Sequence, residues 1–306
     1  MSGRYPVIQV RTEEGHLKVR DGLILCFFMR RNHTEIAQAV WRSLQTYLRA
    51  TPPGIPGWYV DPDGDTLPLD DSGWKHTREK ILERPGALAC HVDLWQLEYE
   101  VGGYNFEYNG YQLDPLCVLD ERAACAIAFS LPTEYLLEHG AEKVRALAIE
   151  LSRELPFSFG YASFALVSPS GRWYPHRMKL LPLLERYLGL DLYHLNRTSR
   201  RIGTGARGAY WLTFLGQPLL GQLGGLKGLR GELPFPEVSF QPLEGERLLL
   251  TLGEWPDPID TREELYLPHY RVLAHLLEPY FPEEKLGLTS LLDTHGVGRW
   301  LRRLCQ

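Results

Sequence analysis

The 306-residue sequence contains no apolar run long enough to span a membrane. The longest such run, from Leu23 to Met29, is far shorter than the ~20 residues that a helix needs to cross a bilayer. Residues 1–10 also lack the apolar segment of ~7–15 residues that is typical of a secretory signal. These absences predict a cytoplasmic protein that makes no contact with a membrane.

Cysteine is scarce, and its spacing forms no motif. The sequence has no C-x-x-C pair, which argues against a disulfide framework and against a structural zinc site. Cys26 and Cys125 lie in apolar, strand-like runs, where a free thiol usually behaves as a small hydrophobic group. We therefore predict free thiols, and neither a metal nor a cofactor. The cysteines are Cys26, Cys90, Cys117, Cys125 and Cys305.

Positive charge is in the minority. The chain has 33 Lys and Arg residues against 38 Asp and Glu residues, so its formal net charge is -5 at pH 7. Proteins that bind nucleic acid generally show the opposite balance, because their affinity for phosphates comes from Lys and Arg. We expect no direct contact with nucleic acid. An acidic protein can instead be steered towards a basic protein partner.

Motifs for catalysis are absent or incomplete. Gly203, Gly205 and Gly208 fit G-x-G-x-x-G, but a dinucleotide site needs a strand before the glycines and a helix after them. Here a basic segment precedes them and an aromatic strand follows. Lys227 lies in a glycine-rich segment that lacks the Gly-Lys-Ser/Thr order of a phosphate-binding loop. With no H-E-x-x-H spacing and no G-x-S-x-G elbow either, we predict no catalytic residues.

Hydrophobic periodicity predicts a strand followed by a long helix near the N-terminus. Leu23–Arg30 has the length and bulk of a buried strand. Asn32 and Glu35 have the spacing of a capping box. The helix should end at residues 51–54, which include two prolines, and should bury Trp41 in the core. Its apolar face recurs at four-residue steps: Ile36, Val40, Leu44 and Leu48.

Alternating side chains predict a β-meander over residues 91–116. Gly102 and Gly103 should turn the chain, and Asn109-Gly110 is a strong hairpin signal. The buried parity should hold Trp95, Leu97, Tyr99 and Val101. The exposed face should hold the carboxylates Glu98, Glu100 and Glu107.

The middle of the chain predicts a strand–helix–strand unit. Ala124–Leu131 and Phe157–Val167 have the composition of buried strands, and an apolar stripe from Val144 to Leu155 indicates a helix between them. We predict an α+β fold in which antiparallel or mixed sheets contain βαβ-type units and helices pack on one face. Residues 1–306 should form a single domain, or two packed α+β halves of about 1–120 and 121–306.

An acidic segment is the strongest candidate for a binding surface. Its start resembles a calcium loop, but Thr66 and Ser72 stand where an EF-hand needs its glycine and its final glutamate. One interpretation is a solvated turn, and the other is an anionic patch that faces a cationic partner. Together with the meander glutamates, these carboxylates are our predicted partner-binding residues. They are Asp61, Asp63, Asp65, Asp70 and Asp71.

Several segments spread along the chain resemble one known family. They are Leu25–Arg31 (LCFFMRR), Pro132–Gly140 (PTEYLLEHG), Glu154–Ser163 (ELPFSFGYAS), Gly205–Leu215 (GARGAYWLTFL) and Thr251–Pro258 (TLGEWPDP). In these segments the chain is similar to the type VI immunity family, once known only as a domain of unknown function. The motifs are structural rather than catalytic, so the resemblance identifies kinship rather than a mechanism.

The resemblance implies a protein that binds and neutralises a toxic effector delivered between bacteria by a type VI secretion system. Some members are similar to proteins encoded beside nuclease effectors, which they inhibit by covering the active site. A cytoplasmic immunity protein implies a cytoplasmic target such as DNA, RNA or a nucleotide, and a toxin with a basic active-site surface. Two other hypotheses remain open here: an enzyme whose site is assembled from distant residues, and a scaffold subunit of a secretion or phage-related assembly.

Overall fold

The computed structural model describes residues 5–83, 88–114, 121–168, 173–263, 267–282 and 300–305. Within them, the strands are β1 Gln9–Arg11, β2 Leu17–Met29, β3 Trp58–Val60, β4 Thr66–Pro68, β5 Ala89–Trp95, β6 Asn105–Tyr111, β7 Cys125–Pro132, β8 Phe159–Val167, β9 Leu212–Leu215, β10 Ser239–Leu243 and β11 Arg247–Thr251. The helices are α1 His33–Ala50, α2 Asp71–Leu82, α3 Thr133–His139, α4 Ala141–Ser152, α5 Arg177–Arg186, α6 Leu195–Ser199, α7 Leu219–Gln222, α8 Gly225–Glu232 and α9 Pro268–Leu277.

The strands form one sheet in the order β10-β11-β9-β8-β2-β7-β6-β5-β3-β4, and β1 pairs with β2. Neighbouring strands are antiparallel throughout this order. This confirms the predicted α+β class. The predicted strand–helix–strand unit is β7-α3-α4-β8, and its two strands are parallel to each other because β2 lies between them and is antiparallel to both.

Helices α1 and α4 cover one face of the sheet. The Tyr47 hydroxyl of α1 donates to the Ser130 carbonyl at 2.6 Å, and its ring packs on Phe129 with centroids 5.2 Å apart. The Ser43 hydroxyl donates to the Leu151 carbonyl and so links α1 to α4 at 2.7 Å. Helix α6 lies on the opposite face, where its Ser199 hydroxyl contacts the hydroxyl of Tyr111, a residue of β6 whose parity is opposite to that of Phe106 and Tyr108. The expectation that helices pack on one face therefore describes the two longer helices but not this short one.

The strand order interleaves the two halves that the sequence suggested. Strand β7 belongs to the second half, yet it pairs on one side with β2 and on the other side with β6, both from the first half. One cluster of buried apolar residues runs through both halves. We therefore propose that the chain folds as a single domain. No helix among the described residues is long and apolar enough to cross a membrane.

Helix α1 follows the predicted pattern except at its start and at Trp41. Asn32 precedes the helix, but its side-chain oxygen accepts the backbone N–H of Leu113 at 2.6 Å, so the predicted capping box is wrong. Val40 is fully buried, whereas Trp41 is only partly buried against the core. One residue turns a helix by about 100°, and this step places Trp41 at the border of the apolar face.

The Asn109-Gly110 pair is part of β6 and not a hairpin turn, so that prediction is wrong. Residues 96–104 make the connection between β5 and β6, and Gly110 pairs with Cys90. A Cβ on Gly110 would lie 2.6 Å from the Tyr108 hydroxyl and 2.8 Å from the His33 ring. The glycine is thus required for close packing on α1 rather than for a turn.

Candidate functional site

The turn between β3 and β4 carries the first group of predicted carboxylates. One carboxylate oxygen of Asp61 accepts the backbone N–H groups of Asp63 and Asp65, each at 2.9 Å. Asp61 therefore organises the turn, as Asp side chains commonly do. Asp63 and Asp65 are exposed on this turn. The turn leads into β4, which is at the edge of the sheet, and among the described residues no further strand lies beyond it.

The second group lies at the other end of β4. The Asp70 carboxylate accepts the backbone N–H of Gly73 at 2.9 Å and caps the N-terminus of α2. Asp71 is the first residue of that helix, where a negative charge is favourable next to the helix dipole. The strand β4, roughly 10 Å long at ~3.3 Å per residue, and Leu69 lie between the two groups. The five carboxylates thus form two exposed groups on one edge of the sheet rather than a single patch.

Trp95 and Val101 are buried as predicted, but between them the connection from β5 to β6 departs from the predicted exposure. Leu97 is 41% exposed and Tyr99 is 67% exposed, whereas both were expected to be buried. Glu98 and Glu100 are only partly exposed, and Glu100 accepts the backbone N–H of Leu17 at 3.0 Å. This hydrogen bond lowers the pKa of Glu100. The alternation does not apply here, because the strand ends at Trp95.

Glu107 is buried, so the prediction that it shares an exposed face with Glu98 and Glu100 is wrong. Its carboxylate accepts the Tyr193 hydroxyl at 2.9 Å and lies opposite Asp93 in the β5–β6 pair. Burial, and then the nearby charge of Asp93, raise the pKa of Glu107 to about 8. A buried carboxylate beside a second one avoids ionisation. Sequence alternation gave no sign of this, because both faces of β6 are covered.

The raised pKa of Glu107 predicts that the free energy of unfolding depends on pH. Its pKa in the folded chain is about 8 against a reference of 4.5, so the folded state keeps a proton that the unfolded chain loses. Stability from this group is complete below the unfolded pKa and is lost as pH rises through the folded pKa. We expect the free energy of unfolding to fall by up to about 1.4 kcal/mol per pH unit within that window.

Urea denaturation at a series of pH values measures this loss. The Glu107→Gln variant keeps an acceptor for the Tyr193 hydroxyl but cannot ionise, so its unfolding free energy should depend less on pH than that of the wild type. If the unfolding free energies of the two proteins change equally with pH, Glu107 is not the group that causes the pH dependence.

A buried ion pair that the sequence did not reveal lies under the same face of the sheet. Arg207 and Asp191 are 4% and 0% exposed, and their Nη1 and Oδ1 atoms are 2.6 Å apart. The hydroxyls of Tyr161 and Tyr210 donate to the Asp191 carboxylate at 2.6 Å and 3.2 Å. Arg207 also donates to the Leu192 carbonyl at 2.6 Å. These bonds fasten the segment around residues 191–210 to β8.

The glycines around Arg207 have a packing role. A Cβ on Gly205 would lie 2.3 Å from the Tyr280 carbonyl oxygen, and Gly203 has a φ of +55°, which L side chains rarely adopt. The segment has no helix directly after it and leads into β9. The G-x-G-x-x-G match therefore marks a close backbone contact and lacks the following helix that a dinucleotide site needs.

One group of potential metal ligands occurs among the described residues: His275, Glu278 and Cys305. Arg302 already forms an ion pair with Glu278 at 2.7 Å. This arginine neutralises the one carboxylate of the group and disfavours a second cation there. Cys26, Cys90, Cys125 and Cys305 are free thiols, as predicted, and Cys117 lies outside the described residues.

The surface also has open grooves lined by charged side chains. One of about 220 Å³ lies between α1 and α4, where Arg42 pairs with Glu154. Another of about 400 Å³ has Trp211 at its wall, and there Arg145 pairs with Glu142. Exposed ion pairs of this kind are ordinary surface features. Neither groove brings together the carboxylates that we predicted to bind a partner.

The comparison with protein families decides the identity of the chain. The sequence model of a family described as "TsiV: Type VI immunity for VRR-NUC" matches residues 39–304. The chain belongs to this family. It is a type VI immunity protein, as the resemblance of its segments predicted.

A solved structure agrees with this assignment at the level of the fold. The type VI immunity protein is similar to the Pseudomonas aeruginosa T6SS protein PA0821, with a TM-score of 0.75 and 18% sequence identity. The similarity covers 97% of this chain and 87% of that chain. No curated protein matches the sequence.

The structure leaves the type VI immunity protein with a reduced set of accessible carboxylates. Asp63, Asp65, Asp70 and Asp71 are exposed, and Asp61 is partly exposed while it holds the turn. Glu107 is enclosed, and Glu100 is partly occupied by a backbone hydrogen bond. Leu97 and Tyr99 are exposed instead. The sequence could have indicated this only through the glycine pair after them, which marks a connection rather than a continuing strand.

Proposed function

We propose that this immunity protein neutralises a VRR-NUC nuclease effector by binding it directly in the cytoplasm, and that it has no catalytic activity of its own. The family match over residues 39–304 carries this proposal. A nuclease must attract polyanions, so its active-site surface presents Lys and Arg. An inhibitor with exposed carboxylates and a net charge of -5 is complementary to such a surface.

The edge of the sheet supplies the charges for this interaction. Asp63 and Asp65 project from the β3–β4 turn, and Asp70 and Asp71 lie at the start of α2. Exposed charge pairs typically contribute only ~0.2–1 kcal/mol each. These carboxylates should therefore act mainly by accelerating the encounter with the effector.

The direct test mixes the purified protein with a purified VRR-NUC nuclease, which is sought first among the products of the neighbouring genes. We expect the two proteins to elute together in a fixed ratio and the DNA cleavage activity to fall to zero at that ratio. Co-expression should also restore growth of cells that make the effector. A basic nuclease encoded elsewhere is the control, since inhibition of both enzymes would indicate non-specific charge attraction. Growth rescue without binding would overturn direct inhibition.

Association kinetics test the role of the carboxylates. In the variant Asp63→Asn, Asp65→Asn, Asp71→Asn, the side chains that build the turn and the helix cap, Asp61 and Asp70, stay intact. We expect slower and less salt-sensitive association, with an unchanged free energy of unfolding. If this variant binds at the wild-type rate in low salt, the acidic segment is only a solvated turn and the interface lies elsewhere.

A further inference from the structure

Helix α6 and the turn after it carry several arginines, on the face of the sheet opposite to α1 and α4. Arg197 and Arg200 are three residues apart, which places them on one side of the helix, and Arg201 follows directly. Arg200 is exposed, and Arg197 and Arg201 are half-buried. The protein as a whole has a net charge of -5, so this surface has the opposite sign to the rest of the molecule.

Backbone contacts bring arginines from two other parts of the chain to the same place. The backbone N–H of Gly203, just after the turn, donates to the Arg122 carbonyl at 2.7 Å. The guanidinium of Arg30, which follows β2, donates to the neighbouring carbonyl of Ala123. Arg122 is exposed and Arg30 is half-buried. We call this surface the arginine patch; its members are Arg30, Arg122, Arg197, Arg200 and Arg201.

Three arginines of the patch have no acidic partner inside the protein. Arg197, Arg200 and Arg201 form no ion pair with a carboxylate of any described residue, whereas surface arginines such as Arg145 are paired with a glutamate. Burial, and next the charge of Arg197, lower the pKa of His194 to about 4. The local field at the helix is therefore positive, and its charges are available to a negative group of another molecule.

We infer that the arginine patch binds carboxylates on the surface of the nuclease effector. The inference rests on the proposed function, because it assigns a further contact area for the same partner. A guanidinium group can form two parallel hydrogen bonds with one carboxylate, and arginine is enriched in protein–protein interfaces whereas lysine is depleted. Nucleases commonly hold divalent cations with carboxylates, so acidic groups occur within their otherwise basic surfaces.

A nucleic acid is the other polyanion that arginines can bind, and the charge of the protein disfavours it. A duplex would extend beyond the patch, across a surface whose net charge is negative. Glu121, which is exposed directly before Arg122, would also face its phosphates. A protein partner can place a few carboxylates on the patch and avoid this repulsion.

Charge reversal tests the inference, with the VRR-NUC nuclease of the direct test as the probe. We expect the variant Arg197→Glu, Arg200→Glu to raise Kd by about 10-fold or more, because attraction to the carboxylates becomes repulsion. The matched control is Arg153→Glu, Arg271→Glu, which changes the net charge equally. Arg153 follows α4 on the other face of the sheet, and Arg271 is in α9; both are exposed, and neither forms an ion pair with a described residue.

The control gives the sign of the effect. Its added negative charge attracts a basic nuclease, so it should bind at least as tightly as the wild type. The patch variant gains the same negative charge but should bind more weakly, which general charge attraction does not explain. Arg200→Gln removes one exposed charge and should raise Kd by a smaller factor, with the wild-type unfolding midpoint. This single variant decides the matter if the double variant unfolds.

The outcomes separate this inference from the proposed function. If the patch variants bind the nuclease as tightly as the control while the wild type inhibits it, the inference is wrong and the proposed function stands. Binding of a labelled DNA duplex by the wild type, lost in the patch variant, would assign the patch to nucleic acid and also overturn the inference. Absence of nuclease binding by the wild type would overturn the proposed function itself.

Discussion

Replacing Arg207 with methionine is expected to lower the free energy of unfolding by about 3–5 kcal/mol. The Arg207 guanidinium lies 2.6 Å from the Asp191 carboxylate, and both groups are buried. Without the arginine, the buried Asp191 carboxylate keeps the hydroxyls of Tyr161 and Tyr210 as hydrogen-bond donors and only the more distant charge of Arg303. Removing one member of a buried pair is costly because the other keeps its desolvation penalty.

A double variant separates this penalty from the value of the pair. Asp191→Asn combined with Arg207→Met removes both charges of this pair and leaves Arg303 on its carbonyl acceptors, so it should be more stable than Arg207→Met alone. Urea denaturation monitored by circular dichroism gives the three free energies. A loss below ~1 kcal/mol for Arg207→Met would show that water reaches the pair, against its 4% and 0% exposure.

Truncating Trp211 should also cost about 3–5 kcal/mol, the usual range for a large aromatic side chain in a core. Trp211 is 1% exposed, immediately precedes β9, and donates its indole N–H to the Gly253 carbonyl at 3.0 Å. The alanine variant would bury less apolar area and leave a cavity. It would also leave the Gly253 carbonyl without the indole donor. Thermal and urea unfolding of Trp211→Ala measure the loss.

Trp41→Ala is the matched comparison, because it removes the same atoms from a partly buried position. Part of the Trp41 ring is already in water, so its loss should cost about 1–2 kcal/mol. Equal losses for the two variants would mean that Trp41 is as enclosed as the helix periodicity suggested. A larger loss for Trp211 agrees with the structure.

The sequence by itself determined the elements whose signal is local. The apolar steps of α1, the bulky runs of β2, β7 and β8, and the α+β class follow from periodicity, which depends only on neighbours along the chain. The residues that flank Gly203–Gly208 were also enough to show that no strand–glycine–helix order occurs there, although the close packing of the glycines was not predicted. Segments such as Gly205–Leu215 were enough to indicate the family.

Only the tertiary structure decided which polar side chains are buried and which apolar ones are exposed. Glu107 meets Tyr193 across 86 positions of sequence, and no local pattern encodes that contact. Leu97 and Tyr99 continue an alternating pattern beyond Trp95, but strand pairing stops there and their alternation no longer assigns a face. Burial depends on what covers a strand from distant parts of the chain, and periodicity carries no information about that cover.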